Sequence, residues 1–527
     1  MGYLLWHYLA DSAQRFPGNI AVSHRGVQMT YAELDAESTR LANLLRRHGI
    51  GAGMRVGMYL EKQPKVIVAM QAVLKAGAAY VPVDPGAPPA RAAYILGDCQ
   101  VTAVVTTSRK MAGLLAAGEL PSIRLVVLVD ELAADQAPGG PTVVDWSALA
   151  AEDAANVPTT TAVETDPAYL LYTSGSTGNP KGVILTHRHA RTFVDWGVEL
   201  FEPRPTDRLS NHAPMHFDLS VFDTYVALQA GACLCPVPDE VAPFPVQLGD
   251  WIEAQQISIW YSVPSALIRM LLHGRIERLT FPSLRHVLFA GEVFPVKYLR
   301  DVQAKMPKAQ FWNLYGPTET NVCTYYKVPT IPEDQTAEIP IGHACENTDV
   351  FAVTDDDRLA GVGEMGELLV RGPSVMPGYW GLPDRTAKAL VRNPLQHAYT
   401  EMVYRTGDYV KLREDGEYEF IGRKDNQVKS RGYRIELGEV EQTIYRHPGV
   451  REAAVIALPD AEIGARLKVV VVPHEEGAMT RRDVEAFCQA HLPRYMIPEI
   501  IEFRTSLPRT STGKADRVAL AAETVAS

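Results

Sequence analysis

Helix-like and strand-like segments alternate through the first part of the chain, and this alternation constrains its fold most strongly. Pro64 stands just ahead of one helical segment, where a helix start favours proline. Alternation of this kind predicts a largely parallel sheet covered by helices, and it resumes from a strand at 168–172. Between the two runs, residues 133–161 are rich in Ala, Pro, Thr and Gly and predict a surface loop. The first segments are 31–48 (helical), 56–60 (strand), 65–76 (helical) and 79–83 (strand).

The pattern changes between residues 342 and 422. Short strands at 367–371 and 418–421 are separated by Gly-Pro and Asp-Gly turn signals, which predicts a small, mostly antiparallel subdomain. A chain of 527 residues is too long for one core, because single cores stop growing near roughly 250–300 residues. We therefore predict an α/β protein with a large, multi-lobed N-terminal domain, residues 1–424. A hinge joins it to a small α+β C-terminal domain, residues 425–527.

Charge and composition exclude several classes of protein. The formal net charge of −11 disfavours nonspecific binding to nucleic acid. Six cysteines in so long a chain do not make a disulfide framework, and Cys233 and Cys235 are expected to be small buried side chains. The N-terminal residues lack the basic region and cleavage site of a signal peptide, and no apolar run is long enough to span a membrane. We expect a cytoplasmic enzyme that binds neither nucleic acid nor membrane.

A polar loop directly after the 168–172 strand is the most specific motif. Residues 173–182 read Thr-Ser-Gly-Ser-Thr-Gly-Asn-Pro-Lys-Gly. Glycines allow the backbone to approach a ligand closely, and hydroxyls with a lysine suit phosphate oxygens. No Walker loop is present, which disfavours an unrelated P-loop NTPase, and the simpler alternative is a solvated turn. The candidate phosphate ligands are Thr173, Ser174, Gly175, Ser176, Thr177, Gly178 and Lys181.

This loop resembles that of the adenylate-forming superfamily, which includes nonribosomal-peptide adenylation domains, acyl-CoA and aryl-acid ligases, and luciferases. The resemblance covers nearly the whole chain, because further segments are similar to family motifs in the family's order. It implies that a carboxylate attacks the α-phosphate of ATP and that pyrophosphate leaves, with the charge stabilised by positioning and electrostatics. The similar segments are 74–84, 313–320, 404–408, 422–425, 438–441, 492–498 and 513–517.

The resemblance also implies catalytic roles. Lys514 would bridge the substrate carboxylate and the phosphate in the first half-reaction. Glu319 would help to hold Mg²⁺, which favours carboxylate and phosphate oxygens, and Thr318 would contact phosphate. Asp425 corresponds to the hinge at which the C-terminal domain reorients. The 429–433 loop is then similar to the element that serves thiol transfer, the second half-reaction.

The nucleotide site implied by the resemblance has one departure from the family pattern, since Phe420 stands where relatives often carry Tyr. Asp408 would accept hydrogen bonds from the ribose, and its alternative is to stabilise a turn. The Gly316-Pro317 pair is a turn signal, so simple turn packing stays open for its neighbours. The implied nucleotide residues are Asn313, Tyr315, Gly316, Asp408, Phe420 and Arg423.

Asp218 favours an amino acid as the substrate. Ser220 with Asp223 three residues later resembles a capping box at the start of a helix-like run, 221–229. That would leave Asp218 just ahead of the helix, where its carboxylate can pair with an ammonium group. Aryl-acid and acyl-CoA ligases need no such anion. The alternative is that Asp218 caps the helix.

The family's substrate-pocket positions carry over to a mostly apolar set. No second charge is present to pair with a charged substrate side chain, and burying one unpaired would be costly. The set resembles that of prolyl-adenylating enzymes that prime pyrrole-forming natural-product pathways. L-proline is therefore favoured, while alanine, valine, a proline homologue and D-alanine stay open. The positions are Asp218, Leu219, Phe222, Tyr261, Leu288, Ala290, Leu314, Val322, Cys323 and Lys514.

The thiol acceptor is expected on a separate protein. The sequence contains no Gly-Gly-x-Ser site for a phosphopantetheine arm and no His-His-x-x-x-Asp-Gly condensation motif. We thus predict a freestanding enzyme that uses ATP and Mg²⁺ and loads a phosphopantetheinylated carrier protein. An acyl-CoA ligase, and an amino-acid or nucleotide sensor on the same scaffold, are the alternatives.

Overall fold

The computed structural model describes residues 2–131, 140–175, 179–424, 427–475, 477, 479–509 and 515–525. Short 3₁₀ helices span Trp146–Ala151, Ile276–Arg278 and Arg494–Met496. The α-helices are α1 His7–Arg15, α2 Tyr31–Arg47, α3 Pro64–Lys75, α4 Pro89–Asp98, α5 Ser108–Ala117, α6 His187–Phe201, α7 Leu219–Ala230, α8 Pro245–Ala254, α9 Pro264–His273, α10 Val296–Lys305, α11 Pro383–Ala389, α12 Leu437–Tyr445, α13 Arg481–His491 and α14 Arg517–Val525.

The strands follow the same order along the chain. They are β1 Ile20–His24, β2 Val27–Thr30, β3 Arg55–Tyr59, β4 Ala79–Pro82, β5 Ala103–Thr106, β6 Leu125–Leu128, β7 Thr142–Asp145, β8 Pro167–Thr173, β9 Lys181–Thr186, β10 Arg208–Asn211, β11 Cys233–Pro236, β12 Ile259–Ser262, β13 His286–Ala290, β14 Gln310–Tyr315, β15 Thr324–Val328, β16 His343–Ala344, β17 Asp349–Val353, β18 Met365–Arg371, β19 Leu390–Arg392, β20 Met402–Leu412, β21 Tyr418–Arg423, β22 Gln427–Ser430, β23 Tyr433–Glu436, β24 Val450–Asp460, β25 Gly464–Pro473 and β26 Ile500–Phe503.

Two large sheets form the body of the molecule. One has the order β7-β6-β5-β3-β4-β8-β9 and is parallel except for the β8–β9 pair. The other has the order β16-β15-β14-β13-β12-β10-β11-β1-β2, with a parallel centre. Strands such as β5, β6, β12 and β13 are buried along their whole length, as expected for parallel strands covered by helices. The predicted α/β architecture is confirmed.

Local signals explain where helices begin. Thr30 caps α2 with a full capping box: its hydroxyl accepts from the Glu33 amide at 3.2 Å, and the Glu33 carboxylate accepts from the Thr30 amide at 2.7 Å. Thr480 and Asp483 form the same box at the start of α13. Proline occupies the first turn of α3, where its missing N–H costs nothing.

The C-terminal part of the chain forms smaller sheets. Strands β17 to β21 make the antiparallel subdomain that the turn signals predict. A hairpin of β22 and β23 follows, and its turn residues Arg431 and Gly432 both have positive φ, 51° and 80°, as a two-residue hairpin turn requires. Strands β24, β25 and β26 form a small sheet against α12 and α13. This is the expected small α+β C-terminal domain.

Two local predictions are wrong and one is confirmed. The expected loop at 133–161 contains β7, which joins the edge of a parallel sheet because its backbone pairs with β6. Ser220 does not cap α7; it lies inside the helix, and its hydroxyl donates to the carbonyl groups of Met215 and Phe217. Cys233 and Cys235 are buried and carry no disulfide, as expected.

Across the described ranges, none of the helices combines the length and the apolar character that crossing a bilayer would require.

Candidate active site

Neighbouring parallel strands deliver the candidate site residues to one edge of the larger sheet. Strands β12, β13 and β14 pair in register, with Tyr261 beside Leu288 and Ala290 beside Leu314. Their carboxyl ends therefore lie together, which is where open α/β sheets bind ligands. Two adjoining cavities open there, and both are bordered by Gly291, Tyr315 and Asp408.

The first cavity gathers two of the seven candidate phosphate ligands and five of the ten expected substrate residues, together with part of the nucleotide set. It encloses about 1040 Å³, counting its open mouth. Its mixed lining joins predicted groups, since the 173–182 motif, called here the predicted phosphate loop, meets the predicted substrate residues in one space. The predicted residues that line it are Thr173, Ser174, Asp218, Leu219, Tyr261, Ala290, Tyr315, Gly316, Thr318, Val322, Asp408 and Arg423.

The second cavity gathers the expected nucleotide residues. It encloses about 1600 Å³, again counting its mouth, and Ile339 and Ile341 add apolar surface. The Asn313 side chain donates to the Pro340 carbonyl at 2.9 Å, which fixes its amide at the cavity wall. The predicted residues that line it are Asn313, Leu314, Tyr315, Asp408, Phe420 and Arg423.

Three residues of the predicted substrate set lie behind the wall instead of on it. Phe222, Leu288 and Cys323 are fully buried and do not border either cavity. The Phe222 ring meets the Tyr261 ring edge-on, with centroids 5.4 Å apart. Phe222 thus supports the aromatic side chain that does reach the first cavity.

The predicted phosphate loop connects β8 to β9. A Cβ atom on Gly175 would lie 2.2 Å from the Asn179 carbonyl oxygen, so this position requires glycine. The hydroxyl oxygen of Thr173 is buried without a hydrogen-bond partner among the described residues, although it faces the first cavity. A buried polar atom without a partner costs roughly 1–3 kcal/mol, which suits an atom kept for a ligand. Ser176, Thr177 and Gly178 lie outside the described residues.

Glu319 is fully buried beside the first cavity, between two cations. One carboxylate oxygen contacts the Lys181 ammonium at 3.2 Å and accepts from the Tyr379 hydroxyl at 2.8 Å. The other accepts from the Arg434 guanidinium at 2.8 Å. Burial alone would raise the pKa of the Glu319 carboxyl, but Arg434 and Lys181 hold it well below its ordinary range. Glu319 is therefore an anion with both oxygens engaged.

Asp408 links the two cavities through a second charged cluster. It lies within β20, opposite Arg423 of β21, and its carboxylate accepts from the Arg423 guanidinium at 2.6 Å. Its other oxygen accepts from the Tyr315 hydroxyl. Asp408 is thus a strand residue and does not close a turn. The arrangement fixes an aromatic ring, a carboxylate and a cation where the cavities meet.

Asp218 directly precedes α7 and makes no capping hydrogen bond with its side chain. Its carboxyl group lines the first cavity and is partly buried. Burial raises the pKa of Asp218, and this increase is offset in part by Thr318 and Lys429. A buried carboxylate is stabilised when a positive charge binds beside it, so this position favours a cationic group on the ligand.

The C-terminal domain closes the first cavity. Lys429, Gly432, Tyr433 and Arg434 of the β22–β23 hairpin border it. The Arg434 carbonyl accepts from the Ser174 hydroxyl at 2.8 Å, so the hairpin also holds the phosphate loop. The hairpin contains the 429–433 loop, which the family resemblance relates to the second half-reaction.

Sequence reasoning missed a second contact between the C-terminal domain and the phosphate loop. The buried Glu439 carboxylate accepts from the Gly175 amide at 3.0 Å and pairs with Arg91 at 2.6 Å. Glu439 belongs to a family-like segment, but nothing in its local pattern indicates a partner so distant in sequence. The predicted catalytic Lys514 and the predicted hinge Asp425 lie outside the described residues.

Comparison with known proteins identifies the family. Residues 9–380 match the model of the AMP-binding enzyme family, and residues 439–514 match its AMP-binding enzyme C-terminal domain. An L-proline–L-prolyl-carrier protein ligase of Pseudomonas fluorescens is 41% identical over 98% of this chain and 99% of that protein. A protein of the same name from Streptomyces coelicolor is 39% identical over 93% of this chain and 91% of that protein.

Solved structures share the fold. The adenylation domain AlmE of Vibrio cholerae, crystallised with glycyl-adenosine-5′-phosphate, superposes with a TM-score of 0.83. It is 24% identical, and the match covers 100% of this chain and 98% of that one. The two family models, the two ligase relatives and the shared fold agree with one another. The chain belongs to the AMP-binding enzyme family and is a ligase of that family.

Proposed function

We propose that this ligase activates L-proline with ATP, forming prolyl-AMP and releasing pyrophosphate. It then transfers the prolyl group to the phosphopantetheine thiol of a separate carrier protein. The observation that carries the proposal is Asp218, a carboxylate without a capping role in a cavity whose substrate side is mainly apolar or aromatic. The two relatives named as L-proline ligases support the same substrate.

The substrate fits the first cavity by charge and by shape. The cyclic ammonium of proline would pair with Asp218, and the ring would lie against Tyr261, Ala290 and Val322. A charged substrate side chain would meet no partner on this wall, and its burial would be costly. The mainly apolar wall thus favours a compact, uncharged amino acid.

ATP would occupy both cavities. Adenine would lie in the second cavity beside Asn313 and Tyr315, the ribose near Asp408, and the phosphates at Thr173 and its loop. The orphaned Thr173 hydroxyl supports the last assignment. Arg423 would add positive charge where the cavities meet.

Mg²⁺ fits the donors of this site. Glu319 offers a hard anionic oxygen, and Mg²⁺ in such sites takes most of its other ligands from substrate phosphates and water, with Thr318 contacting a phosphate. The ion would neutralise charge on the phosphates. Because both Glu319 oxygens contact side chains here, Arg434 would have to withdraw before the carboxylate could serve the ion.

Two domain arrangements would serve the two steps. We assign residues 1–424 to the N-terminal domain and 425–527 to the C-terminal domain, with Asp425 as the hinge. Lys514 would enter for adenylation and stabilise charge between the substrate carboxylate and the α-phosphate. The present arrangement, with Lys429 and Arg434 at the first cavity, supports assignment of the β22–β23 hairpin to transfer.

Amino-acid-dependent exchange of labelled pyrophosphate into ATP tests the proposal. The panel is every proteinogenic amino acid plus D-alanine and pipecolate. A dominant L-proline signal is expected. A clean signal with another amino acid would keep adenylation and refute the proline assignment. Silence throughout would favour a carboxylic-acid ligase or a sensor, and free CoA as acceptor would separate those two.

A further inference from the structure

A titratable group without an assigned role lines the first cavity: the imidazole of His216. It stands two residues before Asp218, ahead of α7. Both ring nitrogens are buried, and neither has a hydrogen-bond partner among the residues that the structure describes. Each such nitrogen costs roughly 1–3 kcal/mol when it stays unpaired. This arrangement points to a partner that arrives during the reaction.

His216 lies beside the element that closes the cavity in this arrangement. Its ring meets that of Phe217, with centroids 5.1 Å apart, and Phe217 meets Tyr433 of the β22–β23 hairpin at 4.9 Å. The hairpin sits close to the body here, since a Cβ atom on Gly432 would come within 2.3 Å of Val263. The imidazole is therefore enclosed in the arrangement proposed for transfer.

The charge state of His216 suits a proton acceptor. Burial lowers the pKa of the imidazole, so the ring is neutral at neutral pH. Charged groups act on it in both directions: Asp84 and Asp239 raise the pKa of His216, whereas Lys62 and Arg91 lower it. Tyr433 and Tyr495 also line the cavity, but burial raises the pKa of both phenols, so both stay protonated at neutral pH and neither can accept a proton there.

Other groups in the cavity are already engaged or have another proposed role. Asp408 is bound to Tyr315 and Arg423, and Asp218 is proposed to bind the ammonium. His216 is the single imidazole among the cavity residues that the structure describes.

We propose that His216 accepts the proton of the phosphopantetheine thiol as the sulfur attacks the carbonyl carbon of prolyl-AMP. The inference rests on the proposed function and adds a catalytic residue to its second step. The S–H bond breaks toward a ring nitrogen, and the S–C bond forms. The bond from the carbonyl carbon to the phosphate oxygen breaks, and AMP leaves with that electron pair. The imidazolium then returns its proton to AMP or to water.

Thioester formation needs a proton acceptor because the thiolate is the nucleophile. A free thiol with a pKa of about 8.5 is mostly protonated at neutral pH. A positioned general base typically contributes about 10²–10⁴-fold to a rate.

His216→Gln tests the inference, with phosphopantetheine itself as the thiol. L-proline-dependent pyrophosphate exchange is measured first, and single-turnover formation of the prolyl thioester from enzyme-bound prolyl-AMP second. Transfer should fall by about 10²–10⁴-fold, and exchange by much less. The matched control is His24→Gln, a buried histidine outside both cavities that also has an unpaired nitrogen. It should leave the ratio of the two rates unchanged.

Two readouts separate a proton acceptor from a structural residue. The transfer rate of His216→Gln should rise about tenfold per pH unit below the thiol pKa, while the unaltered chain shows a flatter profile. Imidazole in the buffer should restore part of the transfer rate of His216→Ala. Equal pH slopes, or an unchanged ratio of transfer to exchange, would overturn the role of His216 alone. No exchange with L-proline in the unaltered chain would instead overturn the proposed function.

Discussion

Replacement of Asp218 by Asn tests the substrate assignment most directly. The change keeps the size of the side chain and removes the charge that we assign to the prolyl ammonium. Loss of one partner from a buried ion pair costs roughly 3–5 kcal/mol. Asp218 is only partly buried, and the amide can still accept a hydrogen bond, so the lower end applies. Because about 1.36 kcal/mol is a factor of ten, the KM for L-proline should rise roughly 100-fold.

Pyrophosphate exchange measures this change, and the KM for ATP is the internal control. Cyclopentanecarboxylate supplies a second test, since it has the ring and the carboxylate of proline without the amine. The unaltered chain should discriminate strongly between the two acids, and Asp218→Asn should lose most of that discrimination. Both effects, the higher KM for L-proline and the lost discrimination, are expected if the Asp218 charge binds the prolyl ammonium.

The pH dependence has a defined sign. Burial raises the pKa of Asp218, so acidification neutralises the carboxylate earlier than that of an exposed aspartate. The proline KM of the unaltered chain should therefore increase as the pH falls, and the Asn variant should lack this increase. A KM within about threefold of the original, or retained preference for proline over the analogue, would refute the ion pair.

Three more predictions concern the two steps and stability. Glu439→Gln removes the anion that holds the Gly175 amide, and it should slow transfer more than exchange; equal slowing would contradict this. Lys514→Ala should slow pyrophosphate exchange more than it slows transfer from preformed prolyl-AMP; equal slowing of both would contradict its proposed role. Burial lowers the pKa of both His187 and His189 to about 3, so below pH 6.5 only the unfolded chain takes up these protons. Urea unfolding at pH 5 should show about 2 kcal/mol less stability per histidine than at pH 7, and constant stability would refute this.

The sequence predicts elements well where local chemistry decides them. The helical segment expected at 31–48 is α2, Tyr31–Arg47, and Thr30 and Glu33 form a capping box at its start. The box expected at Ser220 does not form. There the helix begins two residues earlier than expected, at Leu219, and the buried Ser220 hydroxyl donates to backbone carbonyls of the chain ahead of it. Tertiary burial overrides a local signal at such a position.

The candidate site was predictable only in part, for a similar reason. Motif order identifies Glu319, Asp408 and the phosphate loop, because each belongs to a recognisable local segment. The partners of these residues lie far away in sequence: Arg434 is 115 residues from Glu319, and Glu439 is 264 residues from Gly175. Local patterns carry no information about such pairs, so the closing contacts of the C-terminal domain emerge only from the folded chain.

These long-range contacts suggest how one site could carry out adenylation first and thiol transfer second. If Glu319 serves Mg²⁺ during adenylation, the ion and Arg434 compete for the same carboxylate. Lys181 already contacts this carboxylate, so Mg²⁺ and Arg434 together would bring three cations to one anion, and a low-dielectric interior amplifies their mutual repulsion. Departure of magnesium pyrophosphate would then leave one oxygen of the buried Glu319 carboxylate without a partner, and the cost of that state favours arrival of Arg434 with its hairpin. The charge exposed when the first step ends would itself draw in the element proposed for the second.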